Sequence, residues 1–187
     1  MKDLRKIITL ICWVVICFIL ISQTESNAQV IKMSAKDLTE ASTAVLYGKC
    51  KKVKSEWNDK KDIIMTYVTI VPEEYIKGNL GSEAVIAVPG GQVGDIRYEV
   101  SDMPIFTEGE DVVAFVWTNR YGRNLITGGF QGKMRIEKDS KTGQSFLQGV
   151  GIMDDTEAQI QEPGQIKKAR KMLLEEFVKK LKSYLKH

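Results

Sequence analysis

The sequence predicts a mainly β domain, preceded by a short helix and closed by a long amphipathic one. Three stretches carry this reading. Residues 63–80, IIMTYVTIVPEEYIKGNL, form the longest run of β-branched and aromatic side chains in the chain and end in a glycine-asparagine turn signal. Residues 111–117, DVVAFVW, form a second apolar run of strand length. From about residue 165 to 185, Ile166, Ala169, Leu173, Phe177, Leu181 and Tyr184 recur every three or four positions, which places them on one stripe of a helix.

At the N-terminus, Lys2, Arg5 and Lys6 precede an unbroken apolar run from Ile7 to Ile21, and small residues flank Asn27 in Ser26-Asn27-Ala28. A basic start, a short apolar stretch and a small-residue site are the marks of a secretory signal peptide, here residues 1–28 with cleavage before Gln29. The alternative is a retained membrane anchor, but the run is shorter than the ~20 apolar residues a spanning helix needs. The expected location is therefore outside the cytoplasm, periplasmic or secreted. The chain's formal charge of +3 changes little on losing Lys2, Arg5, Lys6, Asp3 and Glu25, so the exported part stays near neutral. Cys12 and Cys17 leave with the leader, so Cys50 would be the one cysteine exported and no internal disulfide could form. Burial as a small apolar side chain is the expected fate of Cys50.

The remaining chain divides into a leader and short helix (29–43), a β domain (44–150), a linker (151–164) and a C-terminal helix (165–187). Ser34 can cap the short helix through Ala41, with Leu38 turned inward as a lead-in to the domain. Residues 44–53 make the first strand, with a bulge or its end expected between Cys50 and Val53, where the alternation breaks. Within residues 63–80, Ile64, Val68 and Ile70 face one way and Met65, Tyr67, Thr69 and Val71 the other, so both faces are apolar. Such a strand belongs in the middle of a sheet or in a barrel covered on its outside. Shorter strands are expected at 83–88, 95–100, 125–127, 132–138 and 145–148, separated by Pro89-Gly90-Gly91, Glu108-Gly109-Glu110, Gly128-Gly129 and Thr142-Gly143.

The chemistry open to this chain is narrow, because its single histidine is His187, the last residue. A histidine general base, a serine or cysteine nucleophile paired with histidine, and a histidine-rich zinc site have nothing in the domain to be built from. Two acidic turns remain, Glu108, Glu110 and Asp111 in one and Asp154, Asp155 and Glu157 in the other. Either could in principle run carboxylate chemistry or hold Ca²⁺, but neither has the spacing of a calcium loop. Gly90-Gly91 and Gly128-Gly129 lack the following helix and Lys-Ser or Lys-Thr of a phosphate loop and read as turns. Lys49, Lys51, Lys52 and Lys54 beside Tyr47 and Trp57 have the look of an oligonucleotide groove, yet a solvated edge guarded by lysines explains them more simply.

The order of signals is similar to that of a group of uncharacterised exported bacterial proteins. It runs from AVLYGKCKKV at 44–53, through Tyr75-Ile76-Lys77-Gly78 and Gly90-Gly91, to Pro104-Ile105-Phe106, Gly109-Glu110 and DVVAFVW. That pattern in turn resembles the netrin-like modules of tissue metalloproteinase inhibitors, which are five-stranded OB-type barrels with helices packed against them. The resemblance implies an OB-like, netrin-like β-barrel over about residues 44–138. It implies no inhibitory residue, since those inhibitors work through an N-terminal cysteine and disulfides, and this exported chain would begin at Gln29.

These readings lead to an exported, non-enzymatic binding module without cofactor, whose partner is another envelope or extracellular protein. Tyr47, Trp57, Tyr98 and Trp117 are the candidate contact residues, each equally suited to a core. Two alternatives stand beside it: a carboxylate-dependent Ca²⁺-binding module or enzyme, and an envelope protein anchored through residues 7–21 with its basic C-terminal helix on a membrane surface. A nucleic-acid partner is disfavoured by export and near-neutral charge.

Overall fold

The computed structural model describes residues 32–148 and 172–186. The leader, the acidic turn at 154–157, the 151–164 linker, residues 165–171 and His187 lie outside the described residues. The described part is mainly β. The chain order is α1 (Ala35–Ala41), β1 (Ala44–Trp57), β2 (Ile64–Lys77), β3 (Ala84–Pro89), β4 (Gly91–Val93), β5 (Ile96–Tyr98), β6 (Asp111–Thr118) and β7 (Asn124–Ile126). A 3-10 turn (Gly129–Gly132) follows, then β8 (Lys133–Lys138), β9 (Ser145–Gln148), β10 (Met172–Leu173) and α2 (Leu174–Tyr184).

Five strands close into a barrel in the order β1-β2-β3-β7-β6 and back to β1, antiparallel throughout except for β3 against β7. Closure depends on β1, whose first half pairs with β6 on one edge while its whole length pairs with β2 on the other. A strand serving two partners must curve, and register shifts at Val45/Leu46, Tyr47/Gly48 and Cys50/Lys52 supply the bends. The last lies where the alternation breaks in the sequence, but β1 runs on to Trp57 instead of ending. At the middle shift Gly48 meets Pro72, where β2 runs on as well. A Cβ on Gly48 would come within 2.2 Å of the Val71 carbonyl, so the two strands can approach only where one has no side chain.

Side-chain alternation then sorts the apolar residues into two cores. Leu46, Cys50, Val68, Ile70, Ile86, Val112, Ala114 and Val116 fill the barrel, with Phe106 plugged in from a loop. Val45, Val113, Phe115, Met134 and Leu147 face outward and are buried beneath Leu38 of α1 and Phe177 and Leu181 of α2. The unbroken run in β6 follows from this, because both of its faces are covered. Phe115 and Phe177 meet edge to face, ring centroids 6.5 Å apart.

Both helices differ from the sequence expectation. A reciprocal Ser34–Asp37 capping box starts α1, as the sequence suggests, but Leu38 and Ala35 are fully buried, so α1 belongs to the second core and is more than a lead-in. The C-terminal helix begins only at Leu174. Met172 and Leu173, expected as helical, pair instead with Leu147 and Phe146 of β9, which occupies their backbone groups in a sheet. Further along, β5 is exposed at all three residues, where the alternation in 95–100 suggests one buried side. It pairs only with β4, in a two-stranded hairpin standing apart from the main sheet.

Candidate functional site

The most site-like feature is one end of the barrel. Val53 and Ser55 late in β1, Thr66 in β2 and Val88 in β3 point to the interior side, and there the wall of strands is not sealed by another layer. The chain leaves β3 through Gly90, whose N–H donates to the Ile64 carbonyl at 2.9 Å. Gly91 then crosses over the hydroxyls of Ser55 and Thr66 with φ +134°. A Cβ there would stand 2.4 Å from both oxygens, so glycine is required for the crossing. The β4–β5 hairpin and residues 99–106 complete the enclosure, and between them and the strand ends lies a cavity of about 620 Å³. Val53, Val88, Met103 and Phe106 make its apolar side, Ser55 and Thr66 are the polar groups on the strands, and Gln92, Arg97, Glu99 and Ser101 add polar groups from the hairpin side.

The wall segment is tied down at two points. Lys133, at the start of β8, donates to the Ile105 carbonyl at 2.5 Å and to Glu110 Oε1 at 2.6 Å, and its Nζ sits 4.7 Å from the centre of the Phe106 ring. The Lys133 and Glu110 side chains are 12% and 7% exposed, so this is a buried ion pair, satisfied further by the Thr107 N–H on Glu110. At the other tie Asp102, held at φ +62°, accepts a hydrogen bond from the Phe130 N–H at 2.8 Å. Two apolar side chains of the lining are open to solvent, Ile105 at 78% and Tyr98 at 40% exposed, and Ile96, outside the lining, is 55% exposed. Arg97 and Glu99, two residues apart along one segment, pair at 2.7 Å, both in solvent.

A second cleft, of about 740 Å³, runs between α2, β1, β2 and the β8–β9 turn. Three of its polar groups, Tyr47, Glu74 and Lys182, are spent on holding the helix. The Tyr47 hydroxyl donates to Glu74 Oε2 at 3.1 Å, and Lys182 of α2 takes the other oxygen of Glu74. The Lys182 ammonium, foremost, and the Tyr47 hydroxyl hold the Glu74 carboxyl below its ordinary value, while burial, reinforced by Glu74, pushes the Tyr47 phenol up. This is a clamp between elements.

The four candidate contact residues do not converge. Tyr47 belongs to the helix clamp, and Trp57 lies half-buried at the end of β1 opposite Ile64. Trp117, 39% exposed, stands on the outer wall opposite Leu125. Only Tyr98 reaches the barrel-end cavity. The first acidic turn is also dispersed. Glu108 accepts from the Val53 N–H, Glu110 from Lys133, and Asp111 lies 2.8 Å from Lys49 Nζ. Among the described residues no three His, Cys, Asp or Glu side chains are grouped to hold a metal ion, and no helix is long and apolar enough to cross a membrane.

Sequence reasoning missed Val53, Ser55, Thr66, Val88, Met103 and Phe106 as cavity residues. The available signal was Pro89-Gly90-Gly91, a chain reversal just ahead of an exposed hairpin, which reads locally as a turn. Comparison of the chain with protein-family models, with curated proteins and with solved structures finds no match to any of them.

Proposed function

We propose that this chain is an exported, non-enzymatic binding module built on an OB-type, netrin-like barrel, and that its ligand is held at the open end of that barrel. The observation carrying the reading is the cavity of about 620 Å³ with the exposed side chains of Tyr98 and Ile105 in its lining. Its size and its combination of apolar and polar lining groups suit a small-molecule site. Exposed apolar side chains at a concavity favour a binding role over a purely structural one.

The barrel type is supported by the closed five-strand ring, by its single parallel pair, and by the helices gathered on one flank. A non-enzymatic role is supported by the dispersal of the Glu108, Glu110 and Asp111 carboxylates among separate protein donors. Export is supported by the leader-like residues 1–28.

A screen of small apolar fragments against methyl-labelled protein tests the site. Shifts centred on the Val53, Val88 and Met103 methyls are expected. Shifts centred on Val113 and Leu147, or none in any methyl, would refute the assignment. Protein recovered outside the cytoplasm and beginning at Gln29 would support export, and one retaining residues 1–28 would contradict cleavage.

A further inference from the structure

We infer that the barrel-end cavity selects a molecule with an apolar body and one hydrogen-bond donor, a hydroxyl or a ring or amide N–H, which Ser55 Oγ accepts. This rests on the proposal that the cavity is the ligand site, and it adds the chemistry of the ligand. The argument follows the protons. Thr66 Oγ1 lies 2.6 Å from the Gly90 carbonyl oxygen, and a carbonyl can only accept, so the Thr66 hydroxyl must donate there. Ser55 Oγ lies 2.8 Å from Thr66 Oγ1, whose one proton is already committed. The Ser55 hydroxyl must therefore donate to Thr66, and the relay runs Ser55 to Thr66 to Gly90.

A serine whose proton is committed in this way presents only lone pairs to the cavity it lines. Val53, Val88, Met103 and Phe106 offer apolar contact beside it, while the side-chain donors of the lining, Gln92, Arg97, Tyr98 and Ser101, come from the hairpin and the segment after it, where Gln92 is given to the Gly94 carbonyl and Arg97 to Glu99. A ligand with a donor satisfies the serine, whereas one with only an acceptor at that position sets lone pair against lone pair. Gly91 keeps the relay in place: its backbone crosses both hydroxyls with no room for a Cβ, which limits their rotation away from one another. The nearest formal charges at the rim, Arg97 and Glu99, neutralise each other, so the cavity has no evident preference for a charged ligand.

The test uses indole and benzofuran, nearly the same in shape, one with a ring N–H and the other with a ring oxygen that can only accept. Affinities are read from methyl shifts of the exported chain on titration. Indole is expected to bind about three- to tenfold more tightly, the worth of one net hydrogen bond. Ser55→Ala should bring that ratio close to one while leaving benzofuran unchanged, which separates loss of the acceptor from general damage to the cavity. Thr66→Val should release the serine proton and raise the relative affinity of benzofuran. Equal binding of the two by the unaltered protein would overturn the inference and leave the cavity standing as a site. Failure of both to shift any cavity methyl would overturn the site and the inference together.

Discussion

The two flanks of the barrel wall carry similar sequence and meet different fates. On the β1–β6–β8 flank the outward residues Val45, Val113, Phe115 and Met134 are fully buried beneath α1 and α2. On the β2–β3–β7 flank strand register sets Lys54, Tyr67, Ala87, Leu125 and Trp117 in a row across the wall. In the next row Lys52, Thr69 and Val85 follow one another. The helices reach this side only at the far end of β2, at Glu74, Ile76 and Lys77; no described helix covers the two rows, and Val71, Val85 and Trp117 remain 39%, 46% and 39% exposed. The difference teaches that outward apolar character does not by itself say what will be covered. On one flank it is an interior surface awaiting a helix, and on the other it is diluted with hydroxyls and lysines that keep the wall soluble.

Substitutions can break this comparison. The largest effect is expected at Phe177→Ala, which removes the ring seated on Phe115 and should lower unfolding free energy by about 3–5 kcal/mol in denaturant titrations. A loss below about 1 kcal/mol would mean that α2 contributes little and that the flanks are alike. Lys133→Met comes next, because it leaves Glu110 buried without its cation; a loss of about 3 kcal/mol is expected, and adding Glu110→Gln should recover part of it. Gly91→Ala forces a Cβ against Ser55 and Thr66 in a left-handed conformation, and a cost of about 1–3 kcal/mol should appear together with weakened fragment binding.

Smaller effects sharpen the picture. The Glu74 carboxyl is held low in the folded protein, so its contribution to stability is present above the unfolded glutamate value and fades as pH falls through the folded one. Because Glu74 and Lys182 are partly solvated, the loss in acid should amount to about a few tenths of a kcal/mol, and Lys182→Met should flatten that part of the stability profile. Smallest of all, Val85→Thr on the bare flank should stay within about 0.5 kcal/mol of the original protein. A loss of several kcal/mol there would show that something covers this wall after all.

Much of the strand pattern was legible, because β2 and β6 announce themselves through β-branched runs and their bounding turns. Closure was not. That β1 would serve β2 and β6 at once depends on bends at Gly48 and Cys50 whose partners lie far along the chain, and local alternation signals only the second. The C-terminal stripe gave Phe177 and Leu181 correctly, but it ran through Leu173, which a contact with β9 turns into strand, a tertiary effect that periodicity does not register. The cavity was the least visible feature. Ser55 and Thr66 are ordinary strand residues in sequence and acquire their role only when Gly90 and Gly91 are laid across them. Of the four aromatic candidates, Tyr47, Trp57 and Trp117 lie away from the cavity.

Cys50 offers a way to watch the barrel breathe. Its side chain is fully enclosed inside the strand ring, and desolvation, aided by the negative charge of Glu110, pushes its thiol up to about 11. Neutral and shut away from reagent, it can be alkylated only when the segment joining β1 to the Gly109-Glu110 turn comes apart. In a chain beginning at Gln29 this sulfur would be a solitary clock, and its labelling rate at mild pH would count openings of the closed ring one molecule at a time.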